Sequence, residues 1–568
     1  LGKTTLDESP QMVNSVIPAG SALRRFGFEE LGDLVTKLVA EGKIEGTDKP
    51  VRIQGADSLN LPLPTDPHDL LSALDRIEHK LFEDPDPEFA VLENLSQIKD
   101  KHVKNNPISF HMPGHKGRDL FKKYGIADMK HLLPCGDITE IPGADNLFSP
   151  EDTILSGQNA YSKLYGSKKT FYSVNGSSAA LMAAIFSSCS NGGKAIVARN
   201  CHRAVFNAVR LWNIVPIYAF PDEITTLGSR VTGEEIESLL LKHPDTEAVI
   251  ITSPDYYGNC CDIKTISDTV HSHGAYLIVD EAHGAHLTLF NKNTDNPAIL
   301  SKSCRLPGGA VEQGADFVIN STHKTLASFT QSAVLNVATD KIPDEVLLDR
   351  LQLLESSSPS YLLMLSLELN AVLLENEGNN IFSNWLKDLN NFYERVRNME
   401  KVFVYIPEAL YDFTKINLAI GDLSGAEVSL RLNEYGIFPE LDSGNFTMMM
   451  SGIGNIRSDY EHLLKSVADI SKTVSKPVLP EPVDSIYLNH PEYRAIPKKT
   501  VPVHYSKSSG HVSALSIVPY PPGIPLLCPG EVITQNTVET IKKLIAKPTF
   551  ISGIDTNGMI FTDGGKTG

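Results

Sequence analysis

The chain has 568 residues, of which 41% are hydrophobic and 21% charged. This is ordinary globular usage and excludes wholesale disorder. Its 51 basic and 69 acidic residues leave a net charge of −18, so the chain as a whole repels phosphate backbones and we expect no nucleic-acid partner. At about 150 residues per domain, the length predicts three or four domains.

The apolar runs and the cysteines both indicate a cytoplasmic protein. No apolar run approaches roughly 18 residues, the length that spans a bilayer, so we expect no membrane association. The seven cysteines are odd in number, show no C-x-x-C spacing and include the adjacent pair Cys260 and Cys261. This usage is typical of reduced thiols and argues against a disulfide framework or a zinc site.

Residues 1–105 differ in pattern from the rest of the chain. Apolar residues at helical spacing predict helices over Phe28–Leu38 and Asp69–Leu81, separated by a polar, proline-rich stretch. No motif in this segment indicates chemistry. We interpret it as an N-terminal extension that serves packing or oligomerisation.

Residues 106–345 alternate short apolar runs with helical stretches. We predict the strands Ala195–Ala198, Val215–Ala219, Ala248–Thr252, Tyr276–Val279 and Phe317–Ile319 and the helices Ala204–Trp212, Glu234–Lys242 and Ile266–His273. Unbroken apolar strands that alternate with helices predict an α/β fold with a largely parallel sheet covered on both faces. Ligands of such sheets bind at the carboxyl ends of the strands, so functional residues are expected just after each strand.

The remaining chain predicts a connection and a smaller domain. Residues 346–400 form a connecting helical segment, in which a long helix begins at Leu362 and reaches about Glu375. From residue 401 to residue 568 the pattern changes to a smaller α+β domain, with strands at VFVYI (402–406) and KINLAI (415–420).

Two sites, one at the start of a predicted helix and one after a predicted strand, favour an anionic or planar ligand. Gly176, Ser177 and Ser178 precede the helical run AALMAAIF. Their backbone N–H groups and hydroxyls suit a phosphate, although an ordinary helix N-cap has the same pattern. His202 follows KAIVAR, where it is either a satisfied polar residue or a ring that lies against a planar cofactor.

Two further sites bring a carboxylate and an amine to strand ends. Asp280 ends a wholly apolar strand and needs a partner, either a metal shared with His283 and His286 or a protonated ring nitrogen. Lys324 follows Ser321 after another strand. It is either a snorkelling surface lysine or a desolvated amine able to form a Schiff base, with Ser321 as a further phosphate donor.

Together the four sites supply a phosphate seat, a ring-stacking histidine, a carboxylate for a ring nitrogen and a Schiff-base lysine. Pyridoxal phosphate requires this combination, because it binds a lysine amine and pairs its pyridine nitrogen with an acid. The sites follow successive strands, so the sequence predicts this cofactor rather than a metal.

With these motifs the sequence resembles a known family, the prokaryotic (group III) ornithine/lysine/arginine decarboxylases, and in particular their smaller arginine and lysine members. The motifs behind the resemblance are SFHMPGHKGR (109–118), SVNGSSAA (173–180), ARNCHRA (198–204), VDEAHGAH (279–286), STHKTLASFTQSA (321–333), SSSPSY (356–361) and YPPGIPLLCPGE (520–531). The resemblance implies fold type I of the pyridoxal-phosphate enzymes, an aspartate-aminotransferase-like large domain followed by a small C-terminal domain.

The resemblance also implies a role for individual residues. Lys324 would bind the cofactor, Asp280 would pair with its ring nitrogen, and His202 would stack on the ring. Gly176, Ser177, Ser178, Ser321 and His323 would surround the phosphate, His283 would lie near the ring, Ser356 would reach the phosphate from a neighbouring subunit, and Glu531 would receive the distal cation of the substrate.

The implied reaction is α-decarboxylation of a basic L-amino acid, arginine before lysine before ornithine, in polyamine-type metabolism, by a homodimer or a larger assembly of dimers with shared active sites. Three alternatives stay open. One is an aminotransferase or lyase on the same scaffold, for which Arg431 is the arginine considered as a carboxylate ligand. Another is a non-catalytic regulatory subunit, and the third is a metal enzyme that uses Asp280, His283 and His286.

Overall fold

A computed structural model describes residues 108–221, 223–225, 227–294, 299, 304–475, 491–520, 523–546 and 550–564. All of them belong to one compact unit of the chain, Pro107–Gly568. The helices predicted over Phe28–Leu38 and Asp69–Leu81 lie outside the described residues, as does the rest of the predicted N-terminal extension.

The strands are numbered in chain order. They are β1 (Ile108–Ser109), β2 (Lys169–Ser173), β3 (Lys194–Ala198), β4 (Val215–Ala219), β5 (Glu223–Thr225), β6 (Gly228–Arg230), β7 (Thr246–Thr252), β8 (Tyr276–Asp280), β9 (Phe317–Asn320), β10 (Ala333–Val337), β11 (Val402–Val404), β12 (Lys415–Ile420), β13 (Ile437–Phe438), β14 (Leu441–Ser443), β15 (Phe446–Met450), β16 (Val501–His504), β17 (Val518–Tyr520), β18 (Phe550–Ser552) and β19 (Met559–Thr562).

The helices follow the same order. They are α1 (Leu120–Lys123), α2 (Met129–Gly136), α3 (Thr153–Tyr165), α4 (Gly176–Ser188), α5 (Arg203–Leu211), α6 (Gly233–Lys242), α7 (Ile263–Ser272), α8 (Leu287–Asn293), α9 (Thr322–Thr325), α10 (Asp344–Gln352), α11 (Tyr361–Val396), α12 (Gly425–Glu434), α13 (Arg457–Lys472) and α14 (Gln535–Ile545). A 3₁₀ turn covers Tyr505–Lys507.

Seven strands form the main sheet in the order β2-β10-β9-β8-β7-β3-β4. Every neighbouring pair is parallel except the two that involve β10, which runs antiparallel to both β2 and β9. The predicted, largely parallel sheet is therefore confirmed. Because the other strands share one direction, β2, β3, β8 and β9 all end at the same edge of the sheet.

Helices cover both faces of this sheet. Successive strand residues point to opposite faces, and on β2 the buried ring of Tyr172 joins a core cluster with residues of α3, α8 and α11, whereas Phe171 joins a second cluster with residues of α4, α5 and α7. Val334 and Leu335 of β10 divide in the same way. A strand buried on both faces needs the continuous apolar runs found in the sequence.

The five predicted strands correspond to β3, β4, β7, β8 and β9, and their positions are confirmed to within two residues. Strands β2 and β10 were not predicted. In β10, Asn336 interrupts the apolar run. It is fully buried and donates a hydrogen bond to Asn320 at 2.8 Å, so the polar side chain is satisfied inside the sheet.

Helix α11 is much longer than predicted. It begins at Tyr361, close to the predicted start at Leu362, but it continues to Val396 instead of ending near Glu375. In the second half of this helix, polar residues separate the apolar ones. Nevertheless, Ile381, Trp385 and Leu389 keep helical spacing and are buried.

A second sheet follows α11, with the antiparallel order β11-β12-β15-β14. Helix α12 packs on it and begins with a capping box formed by Ser424 and Glu427. Further along the chain, β16 pairs with β19 and β17 with β18, and Ile517, Leu527 and Ile541 belong to a small core of their own. None of the described helices is both long and apolar enough to cross a bilayer.

Candidate active site

The predicted site residues gather at the edge where β2, β3, β8 and β9 end. Asp280 is the last residue of β8, and Ser321 directly follows β9. His202 is the N-cap of α5 after β3, and Gly176 begins α4 after β2. The topology thus brings four segments that are distant in sequence to one place.

Lys324 lies in the short helix α9 and points toward the end of β8. Its Nζ is 2.9 Å from Nε2 of His283. Burial lowers the pKa of Lys324 to about 8, while the carboxylate of Asp280 acts to raise it and the charge of Lys415 lowers it further. At pH 7 about a tenth of this amine is then neutral, and the neutral form is the one that a nucleophilic lysine requires.

Asp280 and the two histidines near it are also perturbed. Burial raises the pKa of Asp280, opposed by the charge of Lys324 and a hydrogen bond from the Ala282 amide at 3.2 Å. Burial lowers the pKa of His202 to about 3 and that of His283 far below its ordinary value. Both imidazoles are neutral at physiological pH, so the Nε2 of His283 can accept a hydrogen bond from Lys324 when the ring proton is on Nδ1.

The residues predicted to hold a phosphate lie at helix starts. Gly176 has φ of +77°, a conformation that glycine adopts without strain, and it turns the chain from β2 into α4. Ser177 and Ser178 occupy the first turn of this 13-residue helix and are half-buried. The hydroxyl of Ser321 is buried without a hydrogen-bond partner among the described residues, as expected for a donor whose acceptor is a ligand.

Two other predicted phosphate residues are placed differently. Nδ1 of His323 lies 2.9 Å from the carbonyl oxygen of Ser332, and burial lowers its pKa to about 4. Ser356 is exposed. Just before it, Glu355 accepts a hydrogen bond from the Val174 amide at 3.1 Å, so the segment reaches the start of the phosphate loop within the same chain.

The HMPGHKG motif, to which the sequence analysis gave no role, supports the Lys324 helix. The Gly114 amide donates to the carbonyl oxygen of His323 at 2.7 Å. A Cβ on Gly114 would lie 2.3 Å from the Leu326 carbonyl oxygen, so only glycine fits.

Lys116 is buried and donates to the carbonyl oxygens of His111 (2.6 Å) and Met450 (2.8 Å).

A buried charge cluster, made up of His286, Asp412, Thr414 and Lys415, lies beside Lys324 and His283. Asp412 accepts from His286 Nε2 at 3.0 Å, from the Thr414 hydroxyl at 2.6 Å and from Lys415 Nζ at 2.7 Å. The sequence analysis placed Lys415 in a strand without assigning it a function. The available signal was a lysine at the start of a run that is otherwise mostly apolar.

The same cluster argues against a metal bound by Asp280, His283 and His286. Nδ1 of His286 contacts the Thr325 hydroxyl at 3.2 Å and Nε2 contacts Asp412, so the protein occupies both ring nitrogens. Among the described residues no group of three or more side chains is arranged to hold a metal ion.

Glu531, predicted to receive the distal cation of the substrate, already has a charged partner within the chain. Its carboxylate is 0% exposed and accepts from Nε of Arg199 at 2.8 Å and from a terminal nitrogen of Arg199 at 3.0 Å. The Cys528 amide adds a third bond at 2.7 Å. A fully buried carboxylate that a guanidinium already neutralises does not favour a role in binding the distal cation of a substrate.

Arg431, the candidate carboxylate ligand of an aminotransferase, lies on α12 and donates to the hydroxyl of Thr473 at 2.6 Å. It is not part of the cluster around Lys324. The geometry therefore gives no support to a carboxylate ligand at this position.

Comparison with known proteins identifies the family. Residues 95–449 match the profile described as "Orn/Lys/Arg decarboxylase, major domain", and residues 480–552 match the C-terminal domain of the same family. The chain belongs to the Orn/Lys/Arg decarboxylase family. By family it is an amino-acid decarboxylase, and the resemblance stated from the motifs is confirmed. Residues 1–106 match a separate profile described only as a family of unknown function.

Individual relatives of this decarboxylase agree with the family assignment. It is 31% identical over 475 residues to "Uncharacterized protein YaaO" of Bacillus subtilis, which covers 80% of this chain and 94% of the relative. It is 29% identical over 472 residues to "Arginine decarboxylase" of Bacillus subtilis, with 78% and 91% covered. The solved "Lysine decarboxylase A from Pseudomonas aeruginosa" superposes with a TM-score of 0.61 at 18% identity, with 87% and 83% covered. The predicted type I fold of pyridoxal-phosphate enzymes is thereby confirmed.

Proposed function

We propose that this protein uses pyridoxal phosphate to decarboxylate a basic L-amino acid, with arginine favoured over lysine and ornithine. The observation that carries the proposal is the setting of Lys324, an amine of lowered pKa that contacts the neutral His283 at the strand end occupied by Asp280. The relative named "Arginine decarboxylase" supports the order of substrates. Role assignments made from the sequence for the individual residues remain part of this proposal.

The site residues fit the cofactor by their chemistry. The unpartnered hydroxyl of Ser321 and the start of α4 offer donors to a phosphate. Asp280 is a carboxylate that would hold a proton on a ring nitrogen, and His202 is a neutral imidazole suited to lie against a ring. When bound, pyridoxal phosphate supplies an aldehyde that takes up an amine and a ring that accepts the electron pair released with carbon dioxide.

The chain itself supplies binding, orientation and proton control. Lys324 would hold the cofactor through its amine, which must be neutral to react, and the contact with His283 orients its Nζ. Asp280, buried at the strand end, would stabilise positive charge on a ring nitrogen because little water competes with it there. Burial of the surrounding side chains keeps water from the reacting atoms.

Lys324→Ala tests the proposal. We expect loss of the visible absorbance of bound cofactor and loss of turnover, with arginine, lysine and ornithine assayed separately and product amines measured by mass spectrometry. Lys242→Ala is the control, since Lys242 is exposed on α6. Carbon dioxide release at a near-normal rate from Lys324→Ala would refute the mechanism. Stoichiometric conversion of the cofactor to its amine form, without catalytic carbon dioxide, would indicate transamination instead.

The oligomeric state and the cellular location are also part of the proposal. We expect a cytoplasmic homodimer, or an assembly of dimers, in which Ser356 reaches the phosphate of a neighbouring subunit. The exposure of Ser356 supports an intermolecular role. Sedimentation velocity of the cofactor-loaded protein tests the dimer, and a monomer with full activity would contradict it.

A further inference from the structure

The buried charge cluster has no part in the chemistry proposed so far. The side chains of Asp412, Lys415 and His286 are all 0% exposed. Burying an ion pair costs desolvation free energy, and a well-packed apolar pair often stabilises a fold as well or better. Stability alone therefore does not account for the position of this pair.

The buried charge cluster contacts His283 and the residue that follows Lys324. Lys415 Nζ donates to the backbone carbonyl of His283 at 3.1 Å, and His283 is the residue whose Nε2 meets Lys324. On the other side, His286 contacts the hydroxyl of Thr325, the residue after Lys324. The cluster thus touches the two short segments that present the reacting amine and its imidazole partner.

We propose that Lys415, held in place by Asp412, is a positioning residue whose ammonium favours the neutral forms of the Lys324 amine and the His283 imidazole. Its charge acts at short range from the backbone side of His283, where protein has replaced water. The inference rests on the proposed function, because it assumes that Lys324 is the lysine that receives the cofactor.

The electrostatics of the surrounding groups agree in sign. The charge of Lys415 lowers the pKa of Lys324 and also the pKa of His283, in addition to the effect of burial. Within the cluster, burial favours the neutral form of Asp412, but the charges and hydrogen bonds of His286 and Lys415 lower its pKa overall. The charged and titratable groups that act on Lys324 or His283 are Asp280, Glu440, Lys415, Asp412 and His202.

Lys415→Met tests the proposal on the full chain without cofactor. Competitive acylation over a range of pH, followed by mass spectrometry of the peptide that contains Lys324, measures the pH at which this amine becomes neutral. We expect a midpoint near 8 in the wild type and a midpoint higher by at least about 0.3 pH units in Lys415→Met. At neutral pH the variant should therefore capture pyridoxal phosphate at least about twofold more slowly.

Two further variants complete the design. Asp412→Asn/Lys415→Met replaces the ion pair by neutral groups, leaves no unpaired buried charge, and should raise the midpoint by a smaller amount. Lys401→Met is the matched control, because Lys401 also donates to a backbone carbonyl, that of Val474 at 2.6 Å, without acting on Lys324. If Lys415→Met fails to fold, the double variant decides the question.

The proposal is overturned if the midpoint of Lys324 stays within about 0.3 pH units of the wild type, or falls, in both variants. A lower urea midpoint with no change in labelling would show that the ion pair is only structural. The labelling needs neither substrate nor turnover. Carbon dioxide release at a near-normal rate from Lys324→Ala would therefore refute the proposed function while leaving the labelling result readable.

Discussion

Removing the charge of Glu531 is expected to destabilise the protein rather than to weaken substrate binding. In Glu531→Gln, the Arg199 guanidinium loses a carboxylate that accepts from two of its nitrogens, at 2.8 and 3.0 Å. Arg199 is only 3% exposed at its side chain, so water cannot replace the lost partner. The carbonyl oxygens of Pro525 and Leu526 remain as neutral acceptors.

The expected loss follows from this geometry. Breaking a buried ion pair on one side costs about 3–5 kcal/mol of unfolding free energy, because a charge is left buried without compensation. Replacing both partners by apolar side chains removes that penalty. Arg199→Met/Glu531→Met should therefore lose less than the sum of the two single variants, with a coupling free energy of about 2–3 kcal/mol.

Urea unfolding measures this cycle through tryptophan fluorescence. The chain has two tryptophans. Trp212 is the C-cap of α5, which begins a few residues after Arg199. Trp385 lies in α11. Each variant is also assayed for the KM of arginine. A rise of tenfold or more in KM with an unchanged urea midpoint would refute this reasoning and indicate that Glu531 binds the substrate. A coupling free energy under about 0.5 kcal/mol would refute the ion-pair argument.

Three further outcomes are expected. Asp280→Asn should keep bound cofactor but lower kcat by about 10²-fold or more, measured as carbon dioxide release, because the amide cannot stabilise a protonated ring nitrogen; unchanged kcat would exclude that role. Gly114→Ala should cost about 2–4 kcal/mol in urea unfolding, because its Cβ would lie 2.3 Å from the Leu326 carbonyl oxygen, whereas the control Gly308→Ala meets only a carboxylate end at 3.1 Å. Burial lowers the pKa of Lys116 to about 7, so above that pH the unfolded state binds more protons than the folded state. The free energy of unfolding of the wild type should therefore rise relative to that of Lys116→Met from about pH 7 upward. A difference in unfolding free energy that does not change with pH would contradict this.

The sequence predicted the sheet well because both faces of its strands are buried. A strand such as β8 needs apolar residues at every position, and that run is visible without knowing its neighbours. The polar positions were harder to predict. Asn336 interrupts the apolar run of β10 in the sequence, and only the tertiary structure shows that Asn320 accepts its hydrogen bond.

The site was predicted where one residue type indicates one chemistry. Lys324 and Asp280 each follow an apolar strand, and their positions at one sheet edge agree with the geometry. The pairing of Glu531 was not foreseen, because a carboxylate in a motif does not reveal whether a guanidinium already binds it. Its partner Arg199 is far away in sequence, and pairings over such distances depend on the tertiary fold.

The support of the Lys324 helix by two remote segments has a consequence for biosynthesis. Gly114 bonds to His323, Ile453 bonds to Thr325, and Gly454 returns a bond to Gly114. Three stretches that leave the ribosome far apart in time must meet before the cofactor-binding amine is fixed. Contacts of such long sequence separation form late in folding. A nascent chain that has not yet extended past residue 454 therefore lacks part of the framework around Lys324, and cofactor capture should be one of the last events in the maturation of this protein.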